Sequence, residues 1–210
     1  KAGVLAAAGD YGAAEKELAV AMRLDPDSVD VMQEAARLHF MLKRYDKAAA
    51  SWDRYATLVE TDIASGGLLI TCYTALGDRA NVERVAQRTM ARAEKAVATD
   101  ADNGSAMATI FSCLLCLGET ERAKEWARRA VLIDPDNLGM RYNLACDFVV
   151  AVHDHDMALE MLRPVCRNSG HEQIAWIAAD PDMDPLRDDP RFKELVAEAE
   201  ARLAAVQTLR

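Results

Sequence analysis

Aromatic residues are scarce in this 210-residue chain, at 6%, and there are only 6 prolines and 10 glycines. A β-sandwich would need aromatic and β-branched strands, so that class is excluded. Positive charge is also short. Lys and Arg number 25 against 34 Asp and Glu, a formal net charge of −9, so no nucleic-acid surface is expected, because one needs clustered cations to displace counterions. Apolar runs such as residues 66–70 are far too short to span a bilayer, and no signal-peptide pattern opens the chain. No membrane partner follows from it. The five cysteines, an odd number without a disulfide-scaffold pattern, fit a reducing compartment and predict a cytoplasmic protein. What the chain does have is alanine at every few positions and 51% hydrophobic residues, enough to bury a core and to exclude a disordered tail. This is the composition of small-residue helices packed closely together.

Turn signals recur at a fixed interval. Gly9-Asp10-Tyr11 is followed 34 residues later by Lys43-Arg44-Tyr45 and, after another 34, by Gly77-Asp78-Arg79. Leu76-Gly77 returns as Leu117-Gly118 after 41, and Val152-His153-Asp154 follows 34 beyond Gly118. Small residues keep the register as Ala14, Ala48 and Ala123, with large ones four further on at Leu18 and Trp52. Within residues 105–117, Met107, Ile110, Phe111, Leu114 and Leu117 form one apolar stripe, and Ala123, Trp126, Ala127, Ala130 and Ile133 form the next. A helix–turn–helix unit repeated every 34 residues cannot bury both faces of one pair, so neighbours must stack.

The chain thus resembles the tetratricopeptide repeat (TPR) family. The residues that carry the likeness are Ala35-Ala36, His39, Tyr45, Ala48, Trp52 and Tyr55 in one unit, and Met107, Phe111, Gly118, Ala123, Ala130 and Asp134-Pro135 in another. Leu144-Ala145, Phe148, Ala158 and Leu162 carry it in a third. The resemblance implies an all-α, right-handed α-α superhelix of helix–turn–helix repeats with a C-terminal capping helix. Its units would be residues 1–28 (a partial repeat), 29–62, 63–103, 104–137 and 138–170, with a cap over 171–210. The interval of 41 is 34 plus about two helical turns, which predicts an elongated second helix near residues 84–98. One residue too many before Ala158 predicts an irregular turn at His153-Asp154-His155. The array begins in mid-helix at Lys1, which implies a piece of something longer.

The tail supplies the cap. Residues 171–179 read as a short helix and 180–185 as a turn-rich crossing. Asp189-Pro190 then opens a final helix, with Asp at the N-cap and Pro in the first helical position. Its seam of Phe192, Val196, Ala199, Leu203 and Val206 would seal the last repeat, or pair with a second chain as a homodimer. The strings Tyr142-Asn143-Leu144-Ala145-Cys146 and Asp180-Pro181-Asp182-Met183-Asp184-Pro185-Leu186-Arg187 resemble the C-terminal TPR region of bacterial class III adenylate/guanylate cyclase-like multidomain signalling proteins. That resemblance implies a regulatory or docking segment.

Enzyme chemistry finds little support. Cys113-Leu114-Leu115-Cys116 has zinc-site spacing, but no second Cys or His pair lies at a suitable distance, so packing explains it better. His153-Asp154-His155-Asp156 reads as a solvated turn rather than a metal site. Asp180, Asp182, Asp184 and Asp188 have a calcium-loop rhythm, yet Pro185 and Arg191 stand where an EF-hand needs Gly and Glu. Gly66-Gly67 lacks the Lys and Ser/Thr of a phosphate loop. No catalytic residue, metal or cofactor is predicted.

Function should then lie on the groove face of the first helices. The contacts predicted there are Gln33, Arg37, Leu68, Thr71, Thr109, Ser112, Tyr142, Asn143 and Cys146. Only Arg37 and Asn143 match the basic and Asn clamp of chaperone-binding TPR proteins, so that clamp is absent. The small, apolar, hydroxyl-lined surface predicts a peptide or partner protein as ligand. A dimerisation module working through the C-terminal helix is the alternative.

Overall fold

The computed structural model describes residues 10–208, with side chains described as far as residue 205. The expectations for the mid-helix start at Lys1 and for the side chain of Val206 lie outside these limits. Among the described residues every regular element is helical. In chain order they are α1 (Tyr11–Leu24), α2 (Val29–Met41), α3 (Tyr45–Leu58), α4 (Ala64–Ala75), α5 (Arg79–Thr99), α6 (Gly104–Cys116), α7 (Thr120–Ile133) and α8 (Leu138–Asp147). A π-helical turn (Phe148–Val152) precedes α9 (His155–Asn168); α10 (His171–Ala179), a 3-10 turn (Pro181–Leu186) and α11 (Pro190–Thr208) complete the chain.

The first helix of each pair starts where a short polar side chain can take up an orphan amide. Ser28 accepts from the Val31 amide at 3.4 Å, and Asp62, 34 residues on, from the Ala64 amide at 3.1 Å. Asn103 accepts from Ala106 and Asn137 from Met140, each at 2.9 Å and again 34 apart. The first helix of each pair ends on a left-handed residue: Lys43 (φ 56°), Gly77 (φ 70°), Gly118 (φ 79°) and His153 (φ 58°). At three of them the amide that follows reaches back to a carbonyl five residues earlier, as from Glu119 to Leu114 at 2.9 Å, which fills acceptors the helix leaves open. The fourth stands 35 residues after Gly118, and the surplus residue is taken up by the π turn. The turn-rich crossing expected over 180–185 takes the form of the 3-10 turn.

The chain forms two compact units, residues 1–95 and 96–210, which divide within α5. In the first, Ala14, Leu18, Ala35 and Leu38 join α1 to α2. Ala36, Ala48, Ala49, Trp52, Leu69, Cys72 and Val85 then join α2, α3, α4 and α5. Trp52 is 1% exposed and meets the Phe40 ring edge-on at 5.5 Å. Its burial contributes roughly 2–3 kcal/mol. The alanines let the backbones approach closely. At Gly66 the approach is closer still, since a Cβ there would stand 2.4 Å from the Thr89 side chain.

In the second unit, Met107, Ile110, Phe111 and Leu114 of α6 are buried, as are Ala123, Ala127 and Ala130 of α7. Phe111 meets Phe148 at 5.1 Å between ring centroids. Phe192, Leu195, Ala199 and Leu203 of α11 are all buried, and α11 packs on α9 and α10. The seam therefore covers its own unit. Arg202 completes the join by donating to the carbonyls of Cys166 (3.2 Å) and Ser169 (2.5 Å) at the end of α9.

Candidate partner-binding faces

In the first unit Gln33 and Arg37 are exposed on α2, and Leu68 and Thr71 on α4. The Thr71 hydroxyl donates to the Gly67 carbonyl one turn back at 3.1 Å. On the side of α3 and α5, Asp53 accepts from Tyr73, from Arg84 at 2.7 Å and from Arg88 at 2.9 Å. Burial works to raise its pKa, but those donors outweigh it and hold the carboxyl below its ordinary value. This cluster braces the helices around an ionised carboxylate.

The second unit holds the other five predicted residues. Thr109 and Ser112 lie one turn apart on α6, each donating to a carbonyl four residues back, at 3.0 and 3.3 Å. Ser112 also hydrogen-bonds the carboxylate of Asp147 on α8. Burial pushes the Asp147 carboxyl up to about 6, with Ser112 opposing the rise and Asp182 adding to it. Next along α8, Tyr142 donates its hydroxyl proton to Asp180 and accepts from the Trp176 indole N–H at 2.7 Å. Cys146 stands within 4.8 Å of carboxylate oxygens of both Asp180 and Asp182. Burial pushes its thiol up to about 12. Asn143 is exposed on the same helix.

Two residues in this set thus have structural work. Tyr142 and Cys146 join α8 to the tail, with Asp180 buried between them at 7% exposure. Trp176 stays 58% exposed although its N–H is engaged, so it presents an aromatic face beside Asn143's helix. Asp147, Trp176, Asp180 and Asp182 were missing from the sequence-predicted set. A faint signal existed for Asp147 alone: it follows Cys146 directly and stands five residues after Tyr142. The others are read only from packing.

Cys146, Asp180 and Asp182 are the one group among the described residues whose donor atoms converge as metal ligands could. Zinc prefers four ligands, and both Asp180 oxygens already accept hydrogen bonds, from Tyr142 and from the Asp182 amide at 3.0 Å. The donor set does not fit a metal centre. The other candidate chemistry resolves into structural roles. His153 Nδ1 lies 3.1 Å from the Val149 carbonyl, Asp154 caps α9, and Asp156 pairs with Arg191 at 2.7 Å. Asp184 pairs with Arg187 at 2.6 Å and Asp188 with Lys193 at 3.6 Å. Cys113 is buried and its thiol is pushed up to about 12, so it packs as an apolar residue.

The fold is that of tetratricopeptide-repeat proteins. Residues 5–56 match the family model described as tetratricopeptide repeat. Among solved structures, the chain is similar to TTC0263, a thermophilic TPR protein of Thermus thermophilus, at 18% identity, with 95% of each chain covered and a TM-score of 0.53. It is similar to MamA at 14% identity over 85% of this chain and 96% of that one (TM-score 0.52). YrrB, described as a TPR protein with an unusual peptide-binding site, matches at 17% identity over 95% and 88%, with a TM-score of 0.50. No curated protein matches the sequence. Proteins of this fold are in general non-enzymatic scaffolds for protein–protein interaction. No described helix is long and apolar enough to cross a membrane.

Proposed function

We propose that the chain is a non-enzymatic interaction module that binds a peptide or partner protein on its first-helix faces. In the second unit the contact surface comprises Thr109, Ser112, Asn143 and the exposed face of Trp176, with Tyr142 and Cys146 holding it in place. In the first unit it comprises Gln33, Arg37, Leu68 and Thr71. The repeats that carry these faces run over 29–62, 63–103, 104–137 and 138–170. The observation that carries the reading is the network in which Trp176, Tyr142 and Asp180 interlock while the indole stays exposed. A pre-ordered aromatic surface loses little conformational freedom when a ligand docks. Asp147, Asp180 and Asp182 have no ion-pair partner among the described residues, which favours a ligand segment carrying Lys or Arg.

The tail's resemblance to cyclase-like proteins extends the proposal to a regulatory part of a bacterial signalling protein in the cytoplasm. Gene sequence upstream of Lys1 tests that extension, and a neighbouring domain without any signalling function counts against it. Dimerisation through α11 draws no support from the structure, because Phe192, Ala199 and Leu203 are buried within the unit. Selection of a displayed random-peptide library against the intact chain tests the binding face. Enriched peptides should lose about tenfold or more in affinity with Asn143→Ala and Trp176→Ala, at unchanged helicity. A library that yields no enriched peptide, or peptides indifferent to both variants, removes the proposal. Tyr142→Ala is a poor probe, since it also unlatches the tail.

A further inference from the structure

Away from the first-helix faces, the second unit contains an open cavity of about 440 Å³ between α7 and α9, within the size range of small-molecule sites. Its walls are Val131, Leu132, Pro135, Phe148, Met157 and Met161, and its rim carries Arg128 on α7 and Glu160 on α9. Leu132 is 78% exposed, an unusual state for a large aliphatic side chain beside an empty apolar hollow. Phe148, one of the lining residues, begins the π turn where the helix takes in its surplus residue.

The charge around this hollow is not balanced. Arg141 is only 9% exposed, and it stands behind two lining residues, donating Nε–H to the Pro135 carbonyl at 2.6 Å and placing Nη1 4.0 Å from Met161 Sδ. No described carboxylate pairs with it. A buried guanidinium without a counter-ion is costly and leaves a positive potential in the adjoining low-dielectric space. Arg128 at the rim is exposed and likewise lacks an ion-pair partner among the described residues. Glu160 supplies the one opposing charge in the lining, on the far wall.

We propose that this cavity is a binding site for a small amphiphilic carboxylate, an alkyl chain ending in one negative head group. The chain lies against Phe148, Met157 and Met161, and the carboxylate is held at Arg128 in the field of Arg141. Methionine suits such a site, because its flexible thioether adapts to chains of varied shape. Glu160 sets the limit to a single charge, since a second one would face it directly.

Titration calorimetry of the intact chain with sodium decanoate and, separately, with decyltrimethylammonium tests the assignment. Decanoate should bind saturably, with the cation at least about tenfold weaker. Arg128→Glu should weaken decanoate by about tenfold or more, Met157→Trp should fill the hollow and abolish binding, and Glu160→Gln should leave binding equal or tighter. Circular dichroism checks each variant's fold; Arg128 is exposed, so its variant decides the matter if Met157→Trp does not fold. Absence of saturable decanoate binding overturns the proposal. Equal binding of the two amphiphiles overturns it too, as does indifference to Arg128→Glu. Binding of an amidated amphipathic peptide where decanoate fails would make the hollow a helix-docking groove instead, and equally overturns it.

Discussion

Two aspartates of this protein lie on helices and behave oppositely, Asp147 being the more deeply buried. Asp53 collects donors from Tyr73, Arg84 and Arg88, and stays ionised below the ordinary range. Asp147 has only the Ser112 hydroxyl, and burial lifts it from 3.8 to about 6. A raised folded-state value means that the folded chain binds the proton more tightly than the unfolded chain does. The stabilisation is therefore complete below about pH 4 and is lost as pH rises through about 6. Asp147→Asn, which keeps an acceptor for Ser112, should raise the stability of residues 96–210 at pH 7.5 by about 2 kcal/mol. It should flatten the dependence of Tm between pH 5 and pH 7 as well. Denaturant melts across that range check both. Gly66 gives the steric counterpart. A methyl group there meets Thr89, a buried β-branched residue with few alternatives, so Gly66→Ala should cost about 1–3 kcal/mol in the same melts.

At the scale of the elements, the helix boundaries were readable from residue type and spacing. Ser28, Asn103, Asn137 and Asp154 each stand where an amide needs an acceptor, and Gly77 and Gly118 mark left-handed ends. Lys43 and His153 fill the same left-handed position without glycine's freedom, at a cost of about 1 kcal/mol each. Lys43→Gly should therefore stabilise the first unit slightly, whereas Gly118→Ala should destabilise the second, each by about 1 kcal/mol. Thermal melts followed at 222 nm separate the two signs. The π turn was foreshadowed only as a surplus residue. Whether a helix absorbs such a residue as a π turn or expels it as a loop depends on what its side chains can bury, and here Phe148 and Val149 are both at 0% exposure.

For the molecule as a whole, the decisive element is α11, whose buried residues Phe192, Leu195, Ala199 and Leu203 follow spacings of three, four and four, with Leu195 taking the place the sequence pattern gave to Val196. Cys166 of α9, which lies beside Leu195 and Ala199, would otherwise meet water. Truncation after Asp189 should open that face, lower the melting temperature by about 10 °C or more, and bring strong binding of an apolar dye. The helical class, the 34-residue period, the caps and the apolar stripes were set by local sequence, because each depends on neighbours within a few turns. The cluster of Ser112, Asp147, Tyr142, Trp176 and Asp180, and the hollow beside Arg141, were decided by tertiary structure alone. Their members lie up to 68 residues apart, from Ser112 to Asp180. No periodicity encodes which polar side chains will meet once the helices pack, since that depends on the interhelical geometry and on which group wins each hydrogen bond.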